Sequence, residues 1–154
     1  MYTVILFLHS IFRWLVLLFL CYAIFQGYRG YRLKKDFSKW DNSIRHWTAT
    51  IAHIQLVLGM LVYIKSPLIA YYFSDFKNLI AHWDLAFFGL FHIILMFFAI
   101  VMITLGSAKA KRKVTAQEKY KTMFLWFLIA LIIIFIAIPW PFSPLANRPY
   151  LRTI

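Results

Sequence analysis

Long apolar segments alternate with short polar segments along this chain of 154 residues. With their polar flanks, the apolar segments predict helices at about residues 3–26, 43–66, 79–106 and 116–139. Each segment has at least the ~20 residues that a helix needs to cross the hydrocarbon core of a bilayer. The pattern therefore predicts four transmembrane helices.

Capping residues and prolines set the predicted helix boundaries. Asp41, Asn42 and Ser43 are favourable N-cap residues, so the second helix is expected to begin there and to stop before residue 67, a proline. Thr115 and Glu118 have the spacing of a capping box, which predicts the start of the fourth helix. The aromatic-rich residues 67–79 predict an interfacial loop between the second and third helices.

The composition strengthens the membrane interpretation. Hydrophobic residues make up 63% of the chain and charged residues only 14%, whereas about 25% of the residues of a soluble domain are charged. Five acidic residues are too few to solubilise this much apolar surface. We therefore expect an all-α integral membrane protein, folded as a single antiparallel four-helix bundle over residues 1–154.

The net charge of +12 reflects topology and does not indicate nucleic-acid binding. Six basic residues lie in residues 27–46 and six in residues 106–121, and both stretches border apolar segments. Basic flanks of this kind follow the positive-inside tendency, and they can attract anionic lipid head groups. Both clusters are expected in the cytoplasm, which puts both termini on the periplasmic side of a bacterial inner membrane.

Several other classes of protein are disfavoured. No Lys or Arg precedes the first apolar segment, so it is expected to be a retained helix and not a signal peptide. The one cysteine, Cys21, cannot form an intrachain disulfide or a thiolate metal site. No nucleophile with a base, no paired carboxylates and no inverted repeat are apparent, which argues against a stand-alone enzyme or a transporter.

Histidines are the first candidates for function, because polar groups inside a membrane are costly. At a rise of about 1.5 Å per residue, His53 and His92 lie about 20 Å and 18 Å from the predicted outer boundary, on consecutive antiparallel helices. Two imidazoles at one depth are the arrangement that ligates the iron of a haem b. His53 and His92 are therefore the predicted axial ligands.

Small and aromatic residues near these histidines fit the same interpretation. Gly59 and Gly89 lie close to the histidine-bearing faces, where they could leave room for a flat macrocycle or allow close helix packing. Met96 is an alternative ligand or a core residue. Trp14 and Trp47 are expected to border the cofactor.

The first helix adds His9 and Arg13, which share a face because they are four residues apart. A haem propionate, a quinone head group or an anionic lipid would each provide a partner for Arg13. His9 could ligate a second haem, with His82 as its approximate depth match, line a quinone pocket or bond a neighbouring helix. Gln55 and Asp84 are further polar candidates.

The chain resembles a family of small four-helix membrane proteins of Bacteroidetes that are labelled cytochrome b or cytochrome-b-like. The similar stretches are distributed along the chain: LFLHSIFRWLVLL, DNSIRHWTATIAHIQLVLG, FHIILMFFAIVMITLGSAKAK and AIPWPF. More distantly, the layout is similar to half of a haem A synthase. The resemblance implies roles for His9, His53 and His92. The family has an acidic residue before the third-helix histidine, whereas Phe91 stands there in this chain.

Two functions remain open from the sequence. The first is a membrane b-type cytochrome that carries one haem, or two, and transfers electrons, with a quinone as a further ligand. The second is a cofactor-free accessory subunit of a larger inner-membrane respiratory or secretion complex, in which the histidines and Arg13 make hydrogen bonds between helices or subunits. Other membrane protein subunits are expected partners in either case.

Overall fold

The computed structural model describes residues 1–74, 83–143, 146 and 148–150, without the side chains of residues 83 and 84. Regular structure in these residues is entirely helical: α1 Tyr2–Arg32, α2 Lys39–Lys65, α3 Pro67–Ser74, α4 Trp83–Ala86, α5 His92–Arg112 and α6 Ala116–Ala137. A π-helical segment, Phe87–Phe91, joins α4 to α5. Four helical segments are long and apolar enough to cross a membrane: α1, α2, Phe87–Arg112 and α6.

The helices near the basic stretches are longer than predicted. Helix α1 continues to Arg32 and α5 to Arg112, about six residues beyond the predicted ends at residues 26 and 106. Helix α2 begins at Lys39, because Ser38 is its N-cap and exchanges hydrogen bonds with Asp41 in a capping box. Asp41 therefore lies inside the first turn of α2 and is not the N-cap.

The segment after α2 differs most from its prediction. Residues 67–74 form helix α3 and not a loop. Proline suits the first position of a helix because its missing N–H would have no partner there, so Pro67 starts α3 as well as marking the end of α2. The rest of the predicted loop, residues 75–79, lies outside the described residues.

The start of α6 agrees with the sequence. The Thr115 side chain accepts from the Glu118 backbone N–H, and the Glu118 side chain accepts from the Thr115 backbone N–H, which confirms the predicted capping box. The helix ends at Ala137, two residues before Pro139.

Helix α6 is the centre of the packing. It packs extensively on α5 and on α1, and α1 also packs on α2, whereas α2 and α5 are less closely packed. Glycines allow the close contacts: a Cβ added to Gly30 would lie 2.3 Å from the Tyr120 ring, and one added to Gly106 would lie 2.4 Å from the Trp126 Cβ. The looser contact between α2 and α5 leaves space for a cavity.

A buried polar cluster ties the helices together at one end, which we call the basic end because it carries residues 27–46 and 106–121. The Tyr120 hydroxyl donates to the Asp41 carboxylate at 2.8 Å and to the Asp36 carbonyl at 3.0 Å. The guanidinium of Arg45, only 5% exposed, donates to the Ser107 carbonyl at 3.1 Å. These bonds satisfy buried charged groups that would otherwise destabilise the fold.

We expect Tyr120→Phe to lower the free energy of unfolding by about 1–3 kcal/mol, because it removes a donor from a buried carboxylate. Tyr31→Phe, at an exposed tyrosine of α1, is the matched control and should have little effect. Unfolding of both variants in mixed detergent micelles measures the difference. Equal stability of the two variants would contradict this role for Tyr120.

Candidate functional site

A cavity of about 460 Å³ lies between the first half of α1, the second half of α2 and the first half of α5, away from the basic end. Its volume is within the range of small-molecule and cofactor sites, about 300–1,000 Å³. The lining is mostly apolar, with a few polar side chains that include His9, Arg13, Gln55 and His92. The cavity is partly open to the outside of the protein, so a ligand could enter it.

His92 is held in one orientation by the end of α6. Its Nδ1 lies 2.8 Å from the carbonyl oxygen of Ala137, the last residue of that helix. A carbonyl oxygen only accepts, so Nδ1 carries the hydrogen and Nε2 of the neutral ring keeps its lone pair. An Nδ1–H bonded to a backbone carbonyl is the usual support of a histidine that ligates a metal through Nε2.

His9 is oriented by Gln55, which the sequence marks only as a further polar candidate. The Gln55 Nε2 lies 3.0 Å from the His9 carbonyl oxygen and 3.5 Å from the His9 Nε2. The two amide hydrogens of Gln55 can serve both acceptors, which leaves the ring hydrogen of a neutral His9 on Nδ1. In this arrangement the His9 Nδ1 is a donor.

Three buried side-chain polar atoms lack a hydrogen-bond partner among the described residues: His9 Nδ1, Arg13 Nε and Gln55 Oε1. All three belong to residues that line the cavity. Leaving one such atom unpaired costs about 1–3 kcal/mol, so their concentration here favours a bound polar group. With the His92 Nε2, the cavity residues offer two donors and two acceptors.

The segment after α6 folds back towards α1. The Arg13 guanidinium and the Trp14 indole both donate to the Tyr150 carbonyl, the latter at 3.2 Å. Trp140 is buried and packs edge-on against Trp14, with 6.0 Å between ring centroids. Pro139, Arg148 and Pro149 complete the lining of the cavity. Helical periodicity could not predict this contribution, because the segment follows the last helix.

His53 does not share the cavity with His92. Its side chain is exposed on the surface of α2, and its Nε2 lies 2.9 Å from the Thr104 Oγ1 of α5. The Thr104 hydroxyl donates to the Ile100 carbonyl at 2.7 Å, so His53 must be the donor in the contact with Thr104. The structure thus separates the two histidines that the depth argument paired, and it brings His9 to the cavity in place of His53.

The two glycines also have different roles. Gly59 lines the cavity, and a Cβ there would lie 3.2 Å from the His9 Cε1. Gly89 belongs to the π-helical segment and contacts Tyr72, whose ring would lie 2.5 Å from an added Cβ. The Gly89 carbonyl accepts from the Tyr63 hydroxyl at 2.7 Å. Gly89 therefore admits a tyrosine of α3, and the cavity lining does not include it.

The remaining candidates divide in the same way. Met96 lines the cavity, while Trp47 is exposed and Trp14 packs on the C-terminal segment. His82 and the side chain of Asp84 are not among the parts of the chain that the structure describes. Among the described residues, no three or more His, Cys, Asp or Glu side chains come together as a metal-binding group, although axial ligation of a haem needs fewer.

Comparisons of this chain with protein-family models, with curated proteins and with solved structures find no match.

The contact between His92 and Ala137 can be tested by two substitutions. We expect His92→Asn to keep stability close to that of the unmodified protein, because the Asn Nδ2 can replace Nδ1 as the donor. His92→Leu should lower the free energy of unfolding by about 1 kcal/mol, because it leaves the carbonyl of Ala137 unpaired. The free energies of unfolding of the two variants can be measured and compared in mixed detergent micelles. The orienting role of Ala137 is wrong if Leu is tolerated as well as Asn.

Proposed function

We propose that the four long helices cross a bacterial inner membrane as one antiparallel four-helix bundle. The length and apolar character of the helices support this proposal. The basic end would face the cytoplasm, in line with the positive-inside tendency, and both termini would face the periplasm. In this arrangement the cavity lies in the periplasmic half of the bilayer.

We further propose that the protein is a membrane b-type cytochrome that binds one haem b in the cavity and transfers electrons, as the resemblance to cytochrome-b-like proteins implies. The observation that carries the proposal is the orientation of His92. Its Nδ1–H is engaged by the Ala137 carbonyl, and its Nε2 lone pair remains for an iron.

The residues around the cavity fit this group. His92 would hold the iron through its Nε2, and His9, whose Nδ1–H is unpaired and whose residue lines the same cavity, would donate a hydrogen bond to the bound group. The unpaired Nε of Arg13 is a suitable donor to a propionate. Because Gly59 has no side chain, it leaves space in the cavity beside His9. When bound, a haem would supply one-electron chemistry, and the apolar lining would exclude water and tune its potential.

We expect protein purified in mild detergent to give a b-type reduced-minus-oxidised spectrum and a positive pyridine haemochrome assay. His92→Asn should abolish the signal while the protein stays folded, because Asn keeps the bond to Ala137 but provides no Nε2. His53→Gln is the matched control and should keep the signal, since His53 lies outside the cavity.

Loss of the signal in His53→Gln alone would support the original pairing of His53 with His92 and contradict the ligand assignment. Absence of haem from a folded preparation in native membranes would overturn the cytochrome proposal. The cofactor-free accessory subunit would then be favoured, unless the same preparation retained a quinone.

A quinone head group is a second candidate for the cavity, and a specific observation favours it. The unpaired His9 Nδ1 and Arg13 Nε are donors that a quinone carbonyl could use. The unpaired Gln55 Oε1 and the His92 Nε2 are acceptors that the hydroxyl groups of a quinol could use. Because the cavity is partly open, the isoprenoid tail of a quinone could extend out of it.

The quinone alternative predicts that isoprenoid quinone co-purifies with the protein and can be quantified after solvent extraction. We expect Gly59→Leu to lower the retained quinone about tenfold, because overpacking of the cavity wall costs about 1–3 kcal/mol, which weakens binding by about 5-fold to 150-fold. Val57→Leu, at an exposed position of α2, is the control. Equal retention by both variants would contradict quinone binding in this cavity.

A further inference from the structure

The basic end carries a large excess of positive charge that the protein does not neutralise. Six Lys and Arg lie in residues 27–46 and six in residues 106–121, against only three acidic residues in the same stretches. Of the three, Asp41 is buried and bonded to Tyr120, and Glu118 caps α6 and pairs with Lys113 at 3.5 Å. All the basic side chains at this end except Arg45 and Lys119 are exposed.

Aromatic side chains lie next to these charges in the positions typical of a membrane interface. Trp40 and Trp47 of α2 are 61% and 53% exposed, and Tyr28 of α1 is 48% exposed. The Trp40 indole N–H donates to the Tyr22 hydroxyl of α1 at 3.3 Å. Tryptophan and tyrosine concentrate at the level of lipid head groups. The exposed cations of the basic end are therefore next to that level.

Among the exposed cations of the basic end, Lys109 makes the closest contact with an aromatic ring. Its Nζ lies 4.3 Å from the centroid of the Trp126 ring. Trp126 lies close to the backbone of α5, because Gly106, one turn before Lys109, has no side chain to keep the Trp126 Cβ away. Lys109 is three residues from the end of α5, whereas Trp126 is ten residues from the start of α6, about 15 Å along its axis. The ring thus holds the ammonium group on the membrane side of the helix ends.

We propose that the basic end binds anionic phospholipid head groups, and that Lys109 on Trp126 forms one defined phosphate contact between α5 and α6. Charge complementarity favours this occupant, since the exposed cations surround the helix ends where head groups of the same leaflet would lie. The aromatic contact favours a lipid over a soluble anion, because it keeps the Lys109 ammonium at interfacial depth. The proposal goes beyond the cofactor function and does not depend on it.

The test uses the full chain in vesicles of phosphatidylcholine that contain a small, varied share of phosphatidylglycerol brominated on its acyl chains. Bromine quenches tryptophan fluorescence at short range, so quenching reports which lipid lies beside the rings. The same titration is carried out with the Trp126→Phe variant. Subtracting its quenching curve from that of the unmodified protein gives the quenching of Trp126. Brominated phosphatidylcholine at equal shares gives the reference for a lipid without net charge.

We expect Trp126 to be quenched at lower shares of phosphatidylglycerol than of phosphatidylcholine. Lys109→Gln should reduce this preference about fivefold, the fold-change for one basic residue near an anionic surface. Lys65→Gln, at an exposed lysine at the other end of α2, is the matched control and should leave the preference unchanged. High salt should weaken the preference in the unmodified protein.

Two results would overturn the proposal. One is equal quenching of Trp126 by the two lipids at every share. The other is an unchanged preference in Lys109→Gln although circular dichroism shows that the variant is folded. If millimolar inorganic phosphate removed the preference, the contact would recognise a soluble anion, and the assignment to phospholipid would be wrong. If an acidic peptide or RNA removed it at lower concentrations, a soluble macromolecule would be the better partner.

Discussion

The rest of the structure depends on the close contact of α6 with its two neighbours. At Gly30 and Gly106 the missing side chains let Tyr120 and Trp126 approach the backbones of α1 and α5. Helices in an apolar solvent gain little from hydrophobic burial, so this kind of tight packing is a main source of their association. Helix α2 lacks an equivalent contact with α5, and the space left between them becomes the cavity. The same asymmetry therefore produces a firmly packed side and a side that can admit a ligand.

The sequence was sufficient for the number and approximate extent of the long helices, because length and apolar character are properties of single segments. It was also sufficient for the capping box of α6, which involves residues three apart. Helix ends near the basic stretches were underestimated, since their polar residues continue the helices beyond the apolar part. The role of residues 67–74 was missed because a short aromatic segment beginning with proline suits either a loop or a helix.

The structure does not bring His53 and His92 into one cavity, and the reason is geometric. Depth along a helix follows from residue number, but the direction of a side chain depends on rotation about the axis. His53 and Gln55 are two residues apart and so point about 200° away from each other. Only one of them could face the cavity, and it is Gln55 that lies there. The π-helical segment before His92 adds a second uncertainty, because an inserted residue changes the rotational setting of α5 in a way that apolar periodicity does not reveal.

The cavity joins parts of the chain that are distant in sequence, and this explains why its chemistry is more informative than any single histidine. His92 takes its orientation from the end of α6, His9 takes its own from Gln55 on α2, and Arg13 donates to the carbonyl of Tyr150. A packing role alone would predict that these groups satisfy one another. Instead three of their polar atoms remain unpaired among the described residues, all around one opening. Since such atoms are costly to leave unpaired, they favour a polar occupant of the space between them, whether ordered water, a cofactor or a group from another subunit.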